Sequence, residues 1–148
     1  MADSRLSGTP VGQTSMPVIV DQVELRTPGD EFLVGSQSKD GRAAVVFEAD
    51  GETAYFYACA FLNGPILDAL HVYNVAAVED RDRQSEYKVG WSASGRHAIL
   101  MINGYPHAVF DFDRQRGWCR SGFPPAPGDG RWSREGHAWD DSCLGSFR

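Results

Sequence analysis

Three polar side chains within the apolar segment 66–75 are the first candidates for chemistry. Asp68, His71 and Tyr73 offer an acid, a base and a phenol, which are the residue types that proton transfer and ligand hydrogen bonding require. His71 and Tyr73 share one face if the segment is extended. The alternative is that all three are core residues whose polar tips find partners inside the protein. The segment therefore indicates a small-ligand site as the alternative function.

Aromatic and acidic residues gather toward the carboxy terminus, among prolines and glycines. Tryptophan is enriched in the hot spots of protein interfaces, and acidic side chains in the same stretch would steer a basic partner by charge. The alternative is that the rings cap an open end of the sheet. The predicted partner-binding residues are Trp118, Phe123, Trp132, Trp139, Asp129, Glu135, Asp140 and Asp141.

Recognised catalytic and metal-binding motifs are missing from the sequence. It contains no G-x-S-x-G elbow, Walker loop, H-E-x-x-H motif or dinucleotide fingerprint. The three cysteines lack the paired spacing of a zinc site or a disulfide framework. Glu48, Asp50 and Glu52 could supply oxygen ligands to a cation, but Asp50 is expected to bond to the backbone of its turn. We therefore expect no catalytic residue, no metal and no cofactor.

Turn signals divide residues 17–120 into short β-strands. Asp50–Gly51 predicts a type I′ hairpin between 43–48 and 53–58, in which Phe47 faces Ala54. Asn103–Gly104 predicts a second hairpin between 97–102 and 105–112, preceded by a strand at 87–92. Because both faces of the first hairpin carry apolar or aromatic residues, its strands are predicted to be interior.

The predicted fold is a single α+β domain, mostly β, in which hairpins form an antiparallel sheet with one short helix. Segment 66–75 suits one helical turn that runs into a strand, because Pro65 can occupy the first helical position while Val75 favours strand. Residues 1–16 are predicted to form a flexible amino-terminal arm. Residues 17–148 form the β-rich domain, which ends in an irregular segment rich in proline and glycine.

The charge balance limits the partners. A net charge of −6 and a pI of about 5.1 argue against nucleic acid and suit a basic partner. No signal peptide is evident, and no apolar run approaches the roughly 18 residues that a membrane helix needs. The odd, widely spaced cysteines are typical of a reducing compartment. The sequence therefore predicts a cytoplasmic protein without a nucleic-acid or membrane partner.

Several blocks resemble a small bacterial family of unknown function. The blocks are VVFEADGETAYFYA at 45–58, ILDALHVYNV at 66–75, INGYPHAVFDF at 102–112 and W-C-R-S-x-F-P at 118–124. The resemblance covers residues 31–125 and implies a compact β-rich domain, with no catalytic assignment. By analogy it also implies a partner or antidote encoded beside a toxin, as is common among small cytosolic bacterial proteins.

These observations predict a non-enzymatic protein-binding domain, most concretely an immunity protein. Such a protein would neutralise a cognate toxin by occlusion, covering a basic active site with an acidic, aromatic surface. The alternative is a small-ligand-binding protein or an enzyme with a site at Asp68, His71 and Tyr73. A third hypothesis is a structural oligomer that associates through sheet edges.

Overall fold

The computed structural model describes residues 17–126 and 130–147, so the predicted amino-terminal arm lies outside the described residues. In this part of the chain, strands form a five-stranded antiparallel sheet in the order β1-β6-β7-β8-β9 and a four-stranded antiparallel sheet in the order β2-β3-β4-β5. The strands are β1 (Ile19–Arg26), β2 (Glu31–Gln37), β3 (Ala44–Asp50), β4 (Thr53–Cys59), β5 (Ile66–Asn74), β6 (Ser85–Trp91), β7 (His97–Ile102), β8 (Tyr105–Asp111) and β9 (Arg116–Cys119). Short 3₁₀ helices follow at Val75–Ala77 and Asp141–Phe147. The predicted mostly-β class is confirmed, with the strands divided between two sheets.

The two sheets pack face to face around one aromatic core. Phe47 and Phe56 of the four-stranded sheet and Tyr87 and Phe110 of the five-stranded sheet are almost fully buried. The ring centroids of Phe47 and Tyr87 are 5.4 Å apart, and those of Phe56 and Phe110 are 5.2 Å apart. Because these ring pairs join one sheet to the other, the architecture is a β-sandwich.

Hydrogen bonds join the two sheets along both lateral edges of the sandwich. On one side Trp91 Nε1 donates to Ser36 Oγ at 2.8 Å, and Ser36 Oγ donates to Asp21 on β1 at 2.6 Å. On the other side the chain after β9 runs beside β5, where His71 N donates to the Phe123 carbonyl at 2.9 Å. The edge strand β1 is exposed along most of its length, and association through sheet edges stays a prediction.

The β3–β4 hairpin has a different register from the predicted one. Phe47 pairs with Phe56 and Ala49 pairs with Ala54, so each partner lies two residues further along β4 than predicted. Because the displacement is an even number of residues, every side chain stays on its predicted face of the sheet. The reason is the turn, in which Gly51 alone has a positive φ, of 93°. The centre of the turn is therefore the residue pair 51–52, and Asp50 remains in the strand.

The β7–β8 hairpin turns at Asn103–Gly104 as predicted, with φ values of 53° and 79°. An irregularity next to Met101 then shifts the register by one residue. The predicted pairing of His97 with Phe110 is therefore wrong, and His97 pairs with Asp111 instead. A bulge of this kind leaves no strong signal in a single sequence.

Residues 66–74 form a strand throughout, so the helical turn predicted at the start of this segment is wrong. Two bulges insert the extra residues Leu67 and Val72 opposite β4. They interrupt the alternation of period two, and Val72 and Tyr73 are buried as neighbours. The resulting apolar spacing imitates a helix. The helical turn lies after the strand, at Val75–Ala77.

The carboxy-terminal 3₁₀ helix covers the outer face of the five-stranded sheet at β7–β9. Its Leu144 and Phe147 belong to a buried apolar cluster with Ile99, Val109 and Trp118 of the sheet. None of the helices among the described residues is long and apolar enough to cross a membrane.

Candidate binding surface

The structure places Asp68, His71 and Tyr73 in three different environments. The Tyr73 hydroxyl lies in the core, where it bonds to the Tyr87 hydroxyl at 3.1 Å. The His71 ring lies on the outer face of the four-stranded sheet, 5.2 Å from the ring of Tyr55. Asp68 faces the carboxy-terminal segment. The three residues predicted as a ligand site are therefore not brought together.

Asp68 forms a buried ion pair with His137. Its carboxylate accepts hydrogen bonds from His137 Nε2 at 3.0 and 3.1 Å, and His137 Nδ1 donates to the Pro124 carbonyl. Both ring nitrogens therefore face acceptors, which requires a proton on each of them. Burial alone would lower the pKa of His137, but the Asp68 carboxylate and the Pro124 carbonyl outweigh it and raise that pKa above 6.5.

Ser133 completes this cluster without forming a catalytic arrangement. Its hydroxyl donates to Asp68 and accepts from Gly117 N at 2.9 Å. A serine nucleophile is activated by a hydrogen bond to its base, whereas this hydroxyl bonds to the acid. Ser133 and His137 are both 1% exposed. The cluster ties the carboxy-terminal segment to β5, and the sequence could not reveal it because the partners lie far apart along the chain.

The His137 pair makes stability depend on pH. Because the pKa of His137 is higher in the folded protein, the pair's contribution is fully present below the unfolded pKa of about 6.5. We expect it to be lost as the pH rises through the folded-state pKa. Urea unfolding of wild type and His137→Gln across pH 6 to 9 checks this, and the stability difference between the two should shrink with increasing pH. A difference that stays constant contradicts the prediction.

The tryptophans predicted to bind a partner pack against the protein itself. Trp118 is 4% exposed, beneath the carboxy-terminal 3₁₀ helix. Trp132 is half-buried, with its ring centroid 5.3 Å from that of Phe112. Trp139 is half-buried, with the guanidinium of Arg120 3.8 Å from its ring centroid. These contacts give all three rings a structural role.

The remaining predicted partner residues lie at the surface where they are described. Phe123 is 59% exposed, and Glu135, Asp140 and Asp141 are exposed. Each of the three acids has a hydrogen-bond or ion-pair partner within the protein. Asp129 lies outside the described residues. The binding role of this group stays a prediction.

The acidic tip of the β3–β4 hairpin serves the turn. The Asp50 carboxylate accepts hydrogen bonds from the backbone N–H groups of Thr53 and Glu52, at 2.8 and 2.9 Å. These bonds lower the pKa of Asp50 below its usual value. Within the described ranges, no group of three or more ligating side chains is placed to hold a metal ion.

A surface that the sequence assigned to the interior lies open on the four-stranded sheet. Its outer face, here called the tyrosine face, is half-buried or exposed, and no strand or helix of the described ranges covers it. The five-stranded sheet differs, because the carboxy-terminal 3₁₀ helix covers its outer face at β7–β9. The tyrosine face consists of Leu33 from β2, Val46 and Glu48 from β3, Tyr55 and Tyr57 from β4, and Ala69 and His71 from β5.

The two tyrosines at the centre of this face have a defined geometry. The rings of Tyr55 and Tyr57 are nearly parallel, at 12°, with centroids 5.9 Å apart. The Tyr57 hydroxyl donates to Glu48 Oε1 at 3.3 Å. Burial, with help from the Glu48 carboxylate, raises the pKa of Tyr57 to about 12. At neutral pH the phenol therefore keeps its proton and Glu48 remains the acceptor.

The charge of the four-stranded sheet has a single sign. The charged residues of β2–β5 are Glu31, Glu48, Asp50 and Asp68, and these strands contain no lysine or arginine. Asp68 is paired with His137 on the buried side of β5, so the tyrosine face combines its aromatic rings with the carboxylate of Glu48 and carries no lysine or arginine. One signal in the sequence could have identified it. The buried face of the β3–β4 hairpin has phenylalanine where the outer face has tyrosine, whose hydroxyl can reach water.

The fold and this surface define an antiparallel β-sandwich with one partly covered and one open outer face. The chain belongs to the family DUF2251, described as uncharacterized proteins conserved in bacteria, whose sequence model matches residues 26–148. The resemblance to a bacterial family of unknown function is thereby confirmed. An uncharacterized protein of Haemophilus influenzae is 41% identical over 115 residues, covering 72% of this chain and 71% of that protein. No solved structure matches the chain.

Proposed function

We propose that this protein is a protein-binding module, specifically an immunity protein that covers a basic surface of a cognate toxin with its tyrosine face. The observation that carries the proposal is the open aromatic face on a sheet whose charged strand residues are all acidic. Such a face attracts a basic partner over distance and buries rings on contact. The proposal includes a location in the cytoplasm, as predicted from the sequence.

The size and rigidity of the tyrosine face suit an interface core. Four strands about 4.8 Å apart, three of seven residues and one of nine, span roughly 400 Å², which is about half of what one partner buries in a standard interface. Leu33, at 63% exposure, extends the face toward the edge. Because the side chains stand on hydrogen-bonded strands, little backbone conformational entropy is lost on binding.

The alternative of a small-ligand site or an enzyme at Asp68, His71 and Tyr73 gains no support from the geometry. Tyr73 and Asp68 are held by bonds inside the protein, and His71 lies on the other face of β5. A ligand would have to contact all three across the sheet.

Co-expression with the products of neighbouring genes tests the proposal. We expect one product to be basic, to co-purify with the chain and to be inhibited by it. Tyr57→Ala should weaken this binding by roughly thirtyfold or more, as for an interface hot spot. Phe123→Ala is the control, because Phe123 is an exposed ring in the other predicted surface.

Binding is measured by calorimetry, with circular dichroism to confirm that both variants fold. Binding that is lost with Phe123→Ala but retained with Tyr57→Ala would return the interface to the carboxy-terminal residues. If none of the neighbouring products binds, the immunity function is wrong.

A further inference from the structure

We infer that the tyrosine face receives an arginine side chain of the partner, which stacks on the ring pair Tyr55–Tyr57 and pairs with Glu48. This inference rests on the proposed function and names the chemistry of its partner. It defines a guanidinium-binding site formed by two aromatic rings and one carboxylate.

Contacts between arginine and aromatic rings recur elsewhere in the protein. Five contacts within the described ranges place an arginine guanidinium over an aromatic ring, whereas no arginine or lysine of those ranges lies over Tyr55 or Tyr57. The tyrosine pair is therefore left for a cation from outside the fold. The five contacts are Arg26 with Phe32, Arg96 with Phe112, Arg116 with Trp118, and Arg120 with both Tyr105 and Trp139, at 3.8–5.9 Å.

The spacing of the rings determines where the cation can lie. A guanidinium stacked between two rings needs about 7 Å between them, which is more than the 5.9 Å between Tyr55 and Tyr57. The cation must therefore stack on the outside of the pair. Glu48 pairs with Tyr55 across the strands and bonds to the Tyr57 hydroxyl, so its side chain stands on the same face as both rings, with its carboxylate at the Tyr57 hydroxyl.

Glu48 has capacity for a second donor. A carboxylate has about four lone-pair sites, and the Tyr57 hydroxyl uses one of them. A guanidinium can donate two N–H groups to a carboxylate while its plane stacks on a ring. A lysine ammonium is more strongly hydrated and cannot stack. The site should therefore favour arginine over lysine.

The test uses a short acetylated peptide, Gly-Arg-Gly-Arg-Gly amide, and its lysine counterpart, titrated into the full chain and followed by NMR at low salt. We expect the arginine peptide to shift the resonances of Tyr55 and Tyr57 and to bind roughly fivefold more tightly than the lysine peptide. Glu48→Gln should weaken the arginine peptide by roughly three- to fivefold. The matched control is Glu86→Gln, the same change on the outer face of the other sheet.

Equal affinities for the two peptides, or shifts confined to other surfaces, would overturn the inference. The outcome does not depend on the natural partner. A toxin that binds through Tyr57 while the arginine peptide shows no preference would leave the proposed function standing and remove only the arginine site. If the arginine peptide is preferred but no product of a neighbouring gene binds, the arginine site stands and the immunity function is wrong.

Discussion

Asp68→Ala should lower the free energy of unfolding by roughly 3–5 kcal/mol, because it leaves a buried cation without its partner. His137 is 1% exposed and the Asp68 side chain is 8% exposed, so both partners are largely removed from solvent. Ser133 loses its acceptor in the same step. Urea unfolding at pH 6, where the imidazolium is populated, measures the loss.

The control for Asp68→Ala is Asp113→Ala, which removes an exposed ion pair with Arg96. This variant should lose less than about 1 kcal/mol. The double variant Asp68→Ala with His137→Ala should lose much less than the sum of the two single changes, because the partners stabilise each other. Additive losses would show that the pair does not act as a unit.

Phe147→Ala should lower the free energy of unfolding by about 3–5 kcal/mol, the usual loss for a buried phenylalanine. Phe147 is 0% exposed and packs on the outer face of the five-stranded sheet, with its ring 6.3 Å from that of His97. The change leaves a cavity between the carboxy-terminal 3₁₀ helix and β7. Thermal unfolding and urea unfolding both report the loss.

Phe123→Ala provides the matched comparison for Phe147→Ala, since it deletes the same side chain at a position that is 59% exposed. Its effect should stay within about 0.5 kcal/mol. Equal stability of the two variants would mean that the carboxy-terminal helix is not part of the cooperative fold.

Local signals predicted the parts of the fold that depend on a few neighbouring residues. Asn103–Gly104 defined its hairpin because both residues must adopt positive φ, and only a few residue types do so readily. Strands were also predictable, because the side chains of a strand point alternately to its two faces. The bulges of β5 were not predictable, because they depend on pairing with β4, and their extra residues made a strand resemble a helix.

The surface proposed from the structure is not the one that the sequence indicated. An acidic, aromatic binding face was expected at the carboxy terminus, where Trp118 is instead buried by residues of the same chain. Tyr55 and Tyr57 were assigned to the interior because apolar residues on both sides of a hairpin indicate burial on both sides. Whether an apolar face of a sheet is buried depends on which distant part of the chain packs on it. Here the last residues pack on the five-stranded sheet, and a long-range contact of this kind leaves no local signal in the sequence.

The charge pattern of the four-stranded sheet affects how an interface there can be detected. Residues 43–80 contain no lysine or arginine, so trypsin releases this region as one long peptide and amine-reactive cross-linkers cannot attach to it. A carbodiimide would instead couple Glu48 directly to a lysine of the bound protein. Chymotrypsin cleavage after Tyr55 and Tyr57 would then locate the linked residue by mass spectrometry.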